Sequence, residues 1–134
     1  MPLVSVDVLA GRPPEELQAI TAAVHEAMVE CLNVPERDRF QILSQHEPGS
    51  FHFDRHYLDI ERSARFVLVR ITLIEGRTAA VKQAFYSRLA ELLAERVELR
   101  IEDLTVVLTQ NTREDWTFGN GRANYLEMPR DAWR

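Results

Sequence analysis

The feature that most constrains the fold of this chain is an internal repeat. Residues 6–45 align without a gap on residues 71–110, at a constant offset of 65 positions. Apolar positions match along the whole stretch, and a repeat of this length indicates a duplicated structural unit. The identical pairs include Gly11 and Gly76, Arg12 and Arg77, Gln18 and Gln83, Ala19 and Ala84, Glu26 and Glu91, Asp38 and Asp103, Leu43 and Leu108, and Gln45 and Gln110.

Each unit contains the same three elements. Residues 3–9 and 66–74 are rich in Val, Ile and Leu, which favours strands that are buried on at least one face. A glycine turn and a stretch with helical apolar spacing follow each of them. A second strand is predicted near 39–45 in one unit and near 103–110 in the other. Each unit is therefore a βαβ element with parallel strands and a right-handed crossover.

The starts of the two predicted helices differ. Pro13 is pre-set for the first turn of the first helix, whereas Thr78 is suited to cap the second. Apolar residues then recur at helical spacing: Leu17, Ile20, Val24, Ala27, Met28 and Cys31 in the first, and Phe85, Leu89, Leu92, Leu93 and Val97 in the second.

Two βαβ units related by a pseudo-two-fold axis predict an α+β fold. Its four-stranded mixed sheet carries two helices on one face. The first strands of the two units then lie side by side and antiparallel, which brings Pro2 towards Glu75 and Arg77. The other sheet face keeps apolar side chains without a cover, and oligomerisation is a simple way to bury them.

Length, composition and charge restrict the class of protein. The 134 residues include 46% hydrophobic and 28% charged side chains, as in one ordinary globular domain. The net charge of −5 argues against a nucleic-acid partner, which requires a basic surface. No apolar run approaches the ~20 residues of a membrane span, and a signal peptide is missing. We expect a single cytoplasmic domain over 1–134, with repeat units at about 2–45 and 67–110.

Two segments lie outside the repeat. Residues 46–65 contain a Pro-Gly pair, three histidines and three aromatic residues, and are expected to form a loop or a hairpin-like excursion. Residues 111–134 contain two glycines and two tryptophans and lack a strong period. We expect them to form a C-terminal arm that packs against its own subunit or a neighbouring one.

Pro2 is the first candidate for a functional group. Methionine before a small residue is expected to be removed, which would leave a free secondary amine at Pro2. An α-amino group titrates at about 7.7–8.0, an apolar pocket lowers that value and a nearby carboxylate raises it. Such an amine acts as a general base when neutral and as a general acid when protonated. The alternative is structural, because a proline also suits the start of a strand.

The sequence resembles the tautomerase superfamily, whose members are built from βαβ units and carry an amino-terminal proline. Within it, the chain is most similar to malonate semialdehyde decarboxylase and related tautomerases. The resemblance rests on stretches that span nearly the whole chain: PLVSVDVLAGR, VPERDRFQILSQHEPG, ERSARFVLVRITLIEGRT and DWTFGNGRANYL. It implies two units per chain and a homotrimer.

The resemblance also implies roles for individual residues. Arg77 matches an arginine that holds the substrate carboxylate, which suits the forked guanidinium. Asp38 matches a catalytic aspartate, although it also suits a solvated loop acid. Trp116 and Phe118 match an apolar wall over the pocket, or pack without a role in the site. The decarboxylase has a second arginine where this chain has Glu75, which disfavours decarboxylation of malonate semialdehyde.

These observations predict a cofactor-free tautomerase that interconverts the keto and enol forms of small 2-oxo acids such as phenylpyruvate. Pro2, Asp38 and Arg77 are the predicted catalytic residues. Arg77, Trp116 and Phe118 are predicted to bind a small carboxylate substrate. A decarboxylase or hydratase of three-carbon acids is the alternative, and a non-catalytic binding module is the alternative from another class. The histidines lack the spacing of a metal motif and are expected to be surface or packing residues, with His46 a weak candidate for the pocket rim. No metal or cofactor is predicted.

Overall fold

The structure is a computed structural model that describes residues 2–129; residues 130–134 of the predicted arm lie outside the described residues. Four strands and two long helices alternate as the repeat predicts, and a third helix of one turn follows. Their bounds are β1 Leu3–Leu9, α1 Pro14–Leu32, β2 Gln41–His46, β3 Val67–Ile74, α2 Ala79–Val97, β4 Leu104–Asn111 and α3 Asn124–Glu127.

The four strands form one mixed sheet in the order β2-β1-β3-β4. β1 is parallel to β2, and β3 is parallel to β4, as two βαβ units require. β1 and β3 are antiparallel neighbours, with Leu3 opposite Thr72 and Val8 opposite Val67. The predicted α+β fold and pseudo-two-fold arrangement are confirmed.

Both long helices cover the same sheet face. Alternate residues of β1 and β3 point into this layer, and Val4, Val6 and Val69 are fully buried there. The Thr78 side chain accepts a hydrogen bond from the Val81 N–H at 3.2 Å and caps α2, as expected. Pro13 is the N-cap of α1 rather than its first helical residue, because Pro14 takes that place.

The opposite sheet face carries a polar network between apolar side chains. Asp7 accepts one hydrogen bond from Arg70 at 2.9 Å, and its other carboxylate oxygen lies 2.7 Å from His46 Nε2. Several apolar residues on this face are exposed in the single chain, including Leu3, Ile42 and Val107. This face therefore offers apolar surface for an oligomeric contact.

The excursion at 46–65 is a loop rather than a hairpin. Apart from the end of β2, the structure assigns it only two single-turn 3-10 helices, at Pro48–Ser50 and Tyr57–Asp59. Phe53 and Phe66 stack with their ring centres 4.3 Å apart and hold the loop against the sheet. Over residues 2–129, no helix is long and apolar enough to cross a membrane.

Candidate active site

The candidate site residues lie at one edge of the sheet, the edge formed by the ends of its strands, because of the directions in which the four strands run. β1 and β2 begin at this edge, and the Val4 N–H donates to the Phe40 carbonyl at 3.0 Å. β3 and β4 end there, and the Glu75 N–H donates to the Asn111 carbonyl at 2.8 Å. The edge therefore collects four chain segments that are far apart in sequence.

Pro2 and Asp38 belong to two of these segments. Pro2 is buried directly before β1, and Asp38 is half-buried shortly before β2. Burial raises the pKa of Asp38 above its ordinary value, while the positive charges of the amino terminus and of His25 act in the opposite direction. Asp38 therefore lies within electrostatic range of the positive charge at the chain terminus.

His25 packs beside this part of the site, in agreement with the packing role expected from the sequence. It is buried on α1, and its Nε2 lies 2.7 Å from the Glu36 carbonyl oxygen. A carbonyl only accepts, so this nitrogen carries the proton. Nδ1 is buried without a hydrogen-bond partner among the described residues. The contact ties α1 to the loop that positions Asp38. His46, a weak candidate for the pocket rim, lies at the opposite end of the sheet.

Arg77 is held by the backbone at the same edge. Its Nε and Nη2 donate to the Leu32 carbonyl at 3.0 and 2.8 Å, and its Nη1 donates to the Ile74 carbonyl at 3.1 Å. Three of the five N–H groups of the guanidinium are thereby engaged. Burial lowers the pKa of Arg77 and the charge of Tyr125 opposes this effect, but an arginine stays charged throughout the working range. The Arg77 guanidinium is therefore fixed in place, and its remaining N–H groups can donate to a ligand.

The repeat supplies an internal comparison for Arg77. In the first unit Arg12 pairs with the Glu16 carboxylate at 3.4 Å, and Arg65 pairs with the same carboxylate. The position equivalent to Glu16 in the second unit is Val81. Among residues 2–129, no carboxylate lies within ion-pair distance of Arg77. One copy of the arginine therefore holds an internal carboxylate and the other does not.

The loop after β4 builds an aromatic cluster beside Arg77. Trp116 donates from Nε1 to the Asn111 side chain at 2.8 Å, which anchors the indole to the end of β4. Phe118 stacks on Trp116 with the ring centres 5.7 Å apart, and Phe40 lies 6.4 Å from Phe118. Phe118 and Phe40 remain 38% and 48% exposed in the single chain. The structure thus places the predicted aromatic pair at the same edge as Pro2.

Tyr125 belongs to this cluster but was not predicted from the sequence. It is buried in α3, and its ring meets Phe118 edge to face at 4.9 Å. Burial raises the pKa of Tyr125, the Asp38 carboxylate raises it further, and Arg77 acts in the opposite direction. Its phenol therefore lies in electrostatic range of both charged groups. A four-residue helix has no periodic signal, so only the tertiary fold places Tyr125 here.

Glu75 occupies the position where the resemblance leads one to expect a second arginine. It is exposed beyond β3 and forms no ion pair with Arg77 within the described part of the chain. The charge of the site edge is therefore less positive than two arginines would make it. Across residues 2–129, no group of three or more His, Cys, Asp or Glu side chains is arranged to hold a metal ion.

Comparisons with known proteins identify similar families and relatives. A family described as tautomerase enzyme matches residues 38–119, and a second family of the same description matches residues 2–67. The probable tautomerase YusQ of Bacillus subtilis (strain 168) is 38% identical over 127 residues, which cover 95% of this chain and all of that protein.

Solved structures extend the comparison to the fold. A malonate semialdehyde decarboxylase, whose decarboxylase and hydratase activities have been studied structurally, matches with a TM-score of 0.88 at 34% identity. The match covers 93% of this chain and 96% of that one. A fused 4-OT described as a symmetric trimer matches in fold with a TM-score of 0.76 at 24% identity, over 94% of this chain and 99% of its own.

Proposed function

This chain belongs to the tautomerase enzyme family, and we propose that it interconverts the keto and enol forms of small 2-oxo acids without a cofactor. In this proposal Pro2 is the general acid and base, Arg77 holds the substrate carboxylate and Asp38 tunes the amine. Phenylpyruvate is the test substrate, since its ring suits the aromatic cluster of Trp116 and Phe118.

The observation that carries the proposal is the state of Arg77. Its counterpart Arg12 is paired with Glu16, whereas Arg77 is paired with no carboxylate of residues 2–129. A half-buried guanidinium with its fork held by two carbonyls retains N–H groups that match a carboxylate in geometry. A substrate carboxylate supplies the charge that Glu16 supplies in the first unit.

The proton transfer follows from the place of Pro2. Removal of Met1 leaves a secondary amine at the buried start of β1. The neutral amine takes the proton from the enol hydroxyl, and the resulting ammonium returns it to the carbon. The C=C electrons form the new C–H bond and the carbonyl is restored. Burial lowers the pKa of such an amine, whereas the Asp38 carboxylate raises it, and the balance sets its protonation near neutral pH.

A homotrimer is the proposed assembly. The fused 4-OT neighbour is a symmetric trimer, and the sheet face that the helices leave open carries exposed Leu3, Ile42 and Val107. Burying these side chains between subunits removes apolar surface from water. Phe118 and Phe40 at the site edge are also exposed in the single chain, so a neighbouring subunit that covers them would exclude water from the pocket.

A decarboxylase or hydratase of three-carbon acids is the second candidate. Similarity over nearly the whole chain to malonate semialdehyde decarboxylase supports it. The exposed Glu75 at the position of the expected second arginine weighs against it, because a carboxylate repels an anionic substrate. Evolution of CO2 from malonate semialdehyde, compared with phenylpyruvate tautomerisation in one preparation, separates the two.

The test of the proposal is Pro2→Ala assayed with the enol of phenylpyruvate. General acid–base catalysis contributes about 10²–10⁴-fold, so turnover is expected to fall by at least about 10²-fold. Pro48→Ala, at an exposed loop proline, is the matched control and keeps its turnover. Intact mass spectrometry establishes that Met1 is absent from each sample. Full activity of Pro2→Ala would refute the role of Pro2 as the acid and base, whereas failure of a proline-directed electrophile to label a Met-free protein would favour a non-catalytic binding module.

A further inference from the structure

His25 is a buried polar side chain that the proposed mechanism does not use. It is 9% exposed. The other buried residues of α1 are all apolar: Ile20, Ala23, Val24, Ala27, Met28 and Leu32. A polar ring buried beside apolar side chains costs free energy unless it is hydrogen-bonded. A histidine at this position therefore depends on a specific partner.

The partner of the imidazole is a backbone carbonyl outside α1. Nε2 of His25 lies 2.7 Å from the Glu36 carbonyl oxygen, and since a carbonyl only accepts, Nε2 is the donor. Nδ1 has no hydrogen-bond partner among residues 2–129. Within this part of the chain, hydrogen bonding therefore fixes the ring through Nε2 alone.

Glu36 lies inside the turn that carries Asp38. The Asp38 N–H donates to the Pro35 carbonyl at 3.0 Å, and the Arg39 N–H donates to the Arg37 carbonyl at 3.0 Å. These two bonds shape the turn locally but do not connect it to a helix or strand. The bond from His25 makes such a connection, because it joins the middle of the turn to the buried side of α1.

The position of the turn decides which charges the Asp38 carboxylate meets. Asp38 lies in electrostatic range of the positive charges of the chain terminus and of His25, and it acts in turn on Tyr125, which Arg77 also reaches. The exposed charged side chains of the same stretch are Glu36, Arg37 and Arg39. Because a charge interaction weakens with distance, a displaced turn would change the field of Asp38 at the terminal amine.

We infer that His25 is a positioning residue, whose Nε2–H holds the Pro35–Asp38 turn so that the Asp38 carboxylate stays close to the Pro2 amine. This inference rests on the proposed function, because the place of Asp38 matters only if Pro2 is the acid and base. His25 acts through Asp38. It neither contacts the substrate nor exchanges a proton during the reaction.

The principal experiment compares His25→Asn with His25→Gln. The glutamine amide nitrogen reaches about as far as Nε2 and keeps a donor for the Glu36 carbonyl, whereas the asparagine amide reaches only about as far as Nδ1. Because a misplacement of about 1 Å can cost about 10²-fold, we expect kcat to fall by about 10–100-fold in His25→Asn and by less than about threefold in His25→Gln. His52→Asn, at an exposed loop histidine, is the matched control and keeps its kcat.

The pH profile separates a positioning role from a general loss of structure. The neutral amine takes the enol proton, so kcat/KM falls as the pH drops below the pKa of Pro2. A nearby carboxylate raises that pKa, and releasing Asp38 therefore moves the acid side of the profile to lower pH. We expect a move of at least about half a pH unit in His25→Asn, for kcat/KM and for the titration of Pro2 in 15N-proline-labelled protein. A loss of kcat with an unmoved profile would contradict the inference.

A double-mutant cycle tests whether His25 acts through Asp38. Residues that act as a unit are not additive, so His25→Asn should lower kcat by less than about twofold more when Asp38→Asn is already present. An equal loss in the native and the Asp38→Asn backgrounds would show that His25 acts independently of Asp38 and would refute the inference.

A measurement on the native protein needs no substitution and stays informative if His25→Asn does not fold. In protein labelled with 15N-histidine and 13C, the His25 ring nitrogens report their protonation, and a scalar coupling across the hydrogen bond reports its acceptor. We expect a proton on Nε2 and a coupling to the Glu36 carbonyl. A proton on Nδ1 alone would overturn the inference, because the donor to Glu36 would then be missing.

The outcomes distinguish this inference from the proposed function. An unchanged kcat and pH profile in a folded His25→Asn, together with an inactive Pro2→Ala, refutes the role of His25 and leaves the tautomerase function in place. Full activity in Pro2→Ala refutes the role of Pro2, and no keto–enol turnover in the native protein refutes the tautomerase function. In either of these cases the inference for His25 falls as well.

Discussion

The comparison of the two repeat units predicts that Val81→Glu makes the protein inhibit itself. Val81 occupies the position of Glu16, and Arg77 occupies that of Arg12, in the same i,i+4 relation. A carboxylate at position 81 would therefore provide Arg77 with an internal partner. Substrate would have to displace it, so KM should rise while kcat at saturation stays unchanged.

The size of the effect follows from the Arg12–Glu16 pair. That pair is 3.4 Å apart, with side chains 5% and 16% exposed. Exposed ion pairs contribute about 0.2–1 kcal/mol, and burial strengthens the attraction but adds a desolvation cost. A net value of about 1.5 kcal/mol is reasonable, and since 1.4 kcal/mol is tenfold, we expect KM to rise by roughly tenfold.

The fold should tolerate the substitution. Val81 is half-buried in the first turn of α2, and its N–H already donates to the Thr78 cap. A glutamate three residues after a threonine N-cap completes a capping box, and its negative charge is favourable at a helix N-terminus. Glutamine also fits the capping box but lacks the charge, so Val81→Gln is the matched control.

The assay is steady-state keto–enol conversion of phenylpyruvate by the native protein and both variants. A KM raised in Val81→Glu and unchanged in Val81→Gln is the expected pattern. Equal KM values in the two variants would refute the reasoning, because the charge at position 81 would then not reach Arg77 or Arg77 would not hold the substrate.

Three further substitutions test other parts of the structure. Asp38→Asn should lower turnover yet raise the free energy of unfolding at neutral pH. Because burial raises the pKa of Asp38 in the folded state, ionisation of this carboxyl costs stability as the pH rises above about 3.9. In denaturant titrations, the difference in unfolding free energy between the variant and the native protein should therefore vanish near pH 3. Glu75→Arg reverses an exposed charge at the site edge and should lower the KM for malonate semialdehyde about fivefold, a change of roughly 1 kcal/mol. Glu75→Gln should give an intermediate KM. An unchanged KM in Glu75→Arg would show that Glu75 lies outside the reach of the substrate. Thr78→Ala removes the α2 cap and should cost about 1 kcal/mol, seen as a melting temperature lower by about 3 °C, whereas Thr78→Ser should keep it.

The gathering of Pro2, Asp38 and Arg77 was predictable because it depends on strand direction. In two βαβ units with adjacent antiparallel first strands, the start of β1 must lie near the end of β3. The Thr78 cap was predictable for a similar reason, since it depends on residues three apart in the chain. The roles assigned to Pro2, Asp38, Arg77, Trp116 and Phe118 stay predictions for the experiments above.

Some placements depend on contacts between distant segments. His25 packs as expected, but the sequence does not show that its partner is the Glu36 carbonyl beyond the end of the helix. His46 was a weak candidate for the pocket rim, yet the register places it beside Leu9 at the far end of the sheet. Pro13 and Pro14 are adjacent, and local preference alone does not decide which of them begins the helix.

The duplicated sequence by itself determined the βαβ units, the mixed sheet and the edge at which the site forms, because hydrophobic periodicity and strand direction are local properties repeated in both halves. Only the tertiary structure showed which of the two equivalent arginines, within residues 2–129, is paired with a carboxylate and which is not. Arg12 and Arg77 directly precede the N-caps of equivalent helices, but Glu16 pairs with Arg12 and also with Arg65. Tyr125 lies within electrostatic range of the other from a remote part of the chain. The charge and burial around Arg12 and Arg77 depend on contacts with distant residues, and these contacts differ between the two repeat units.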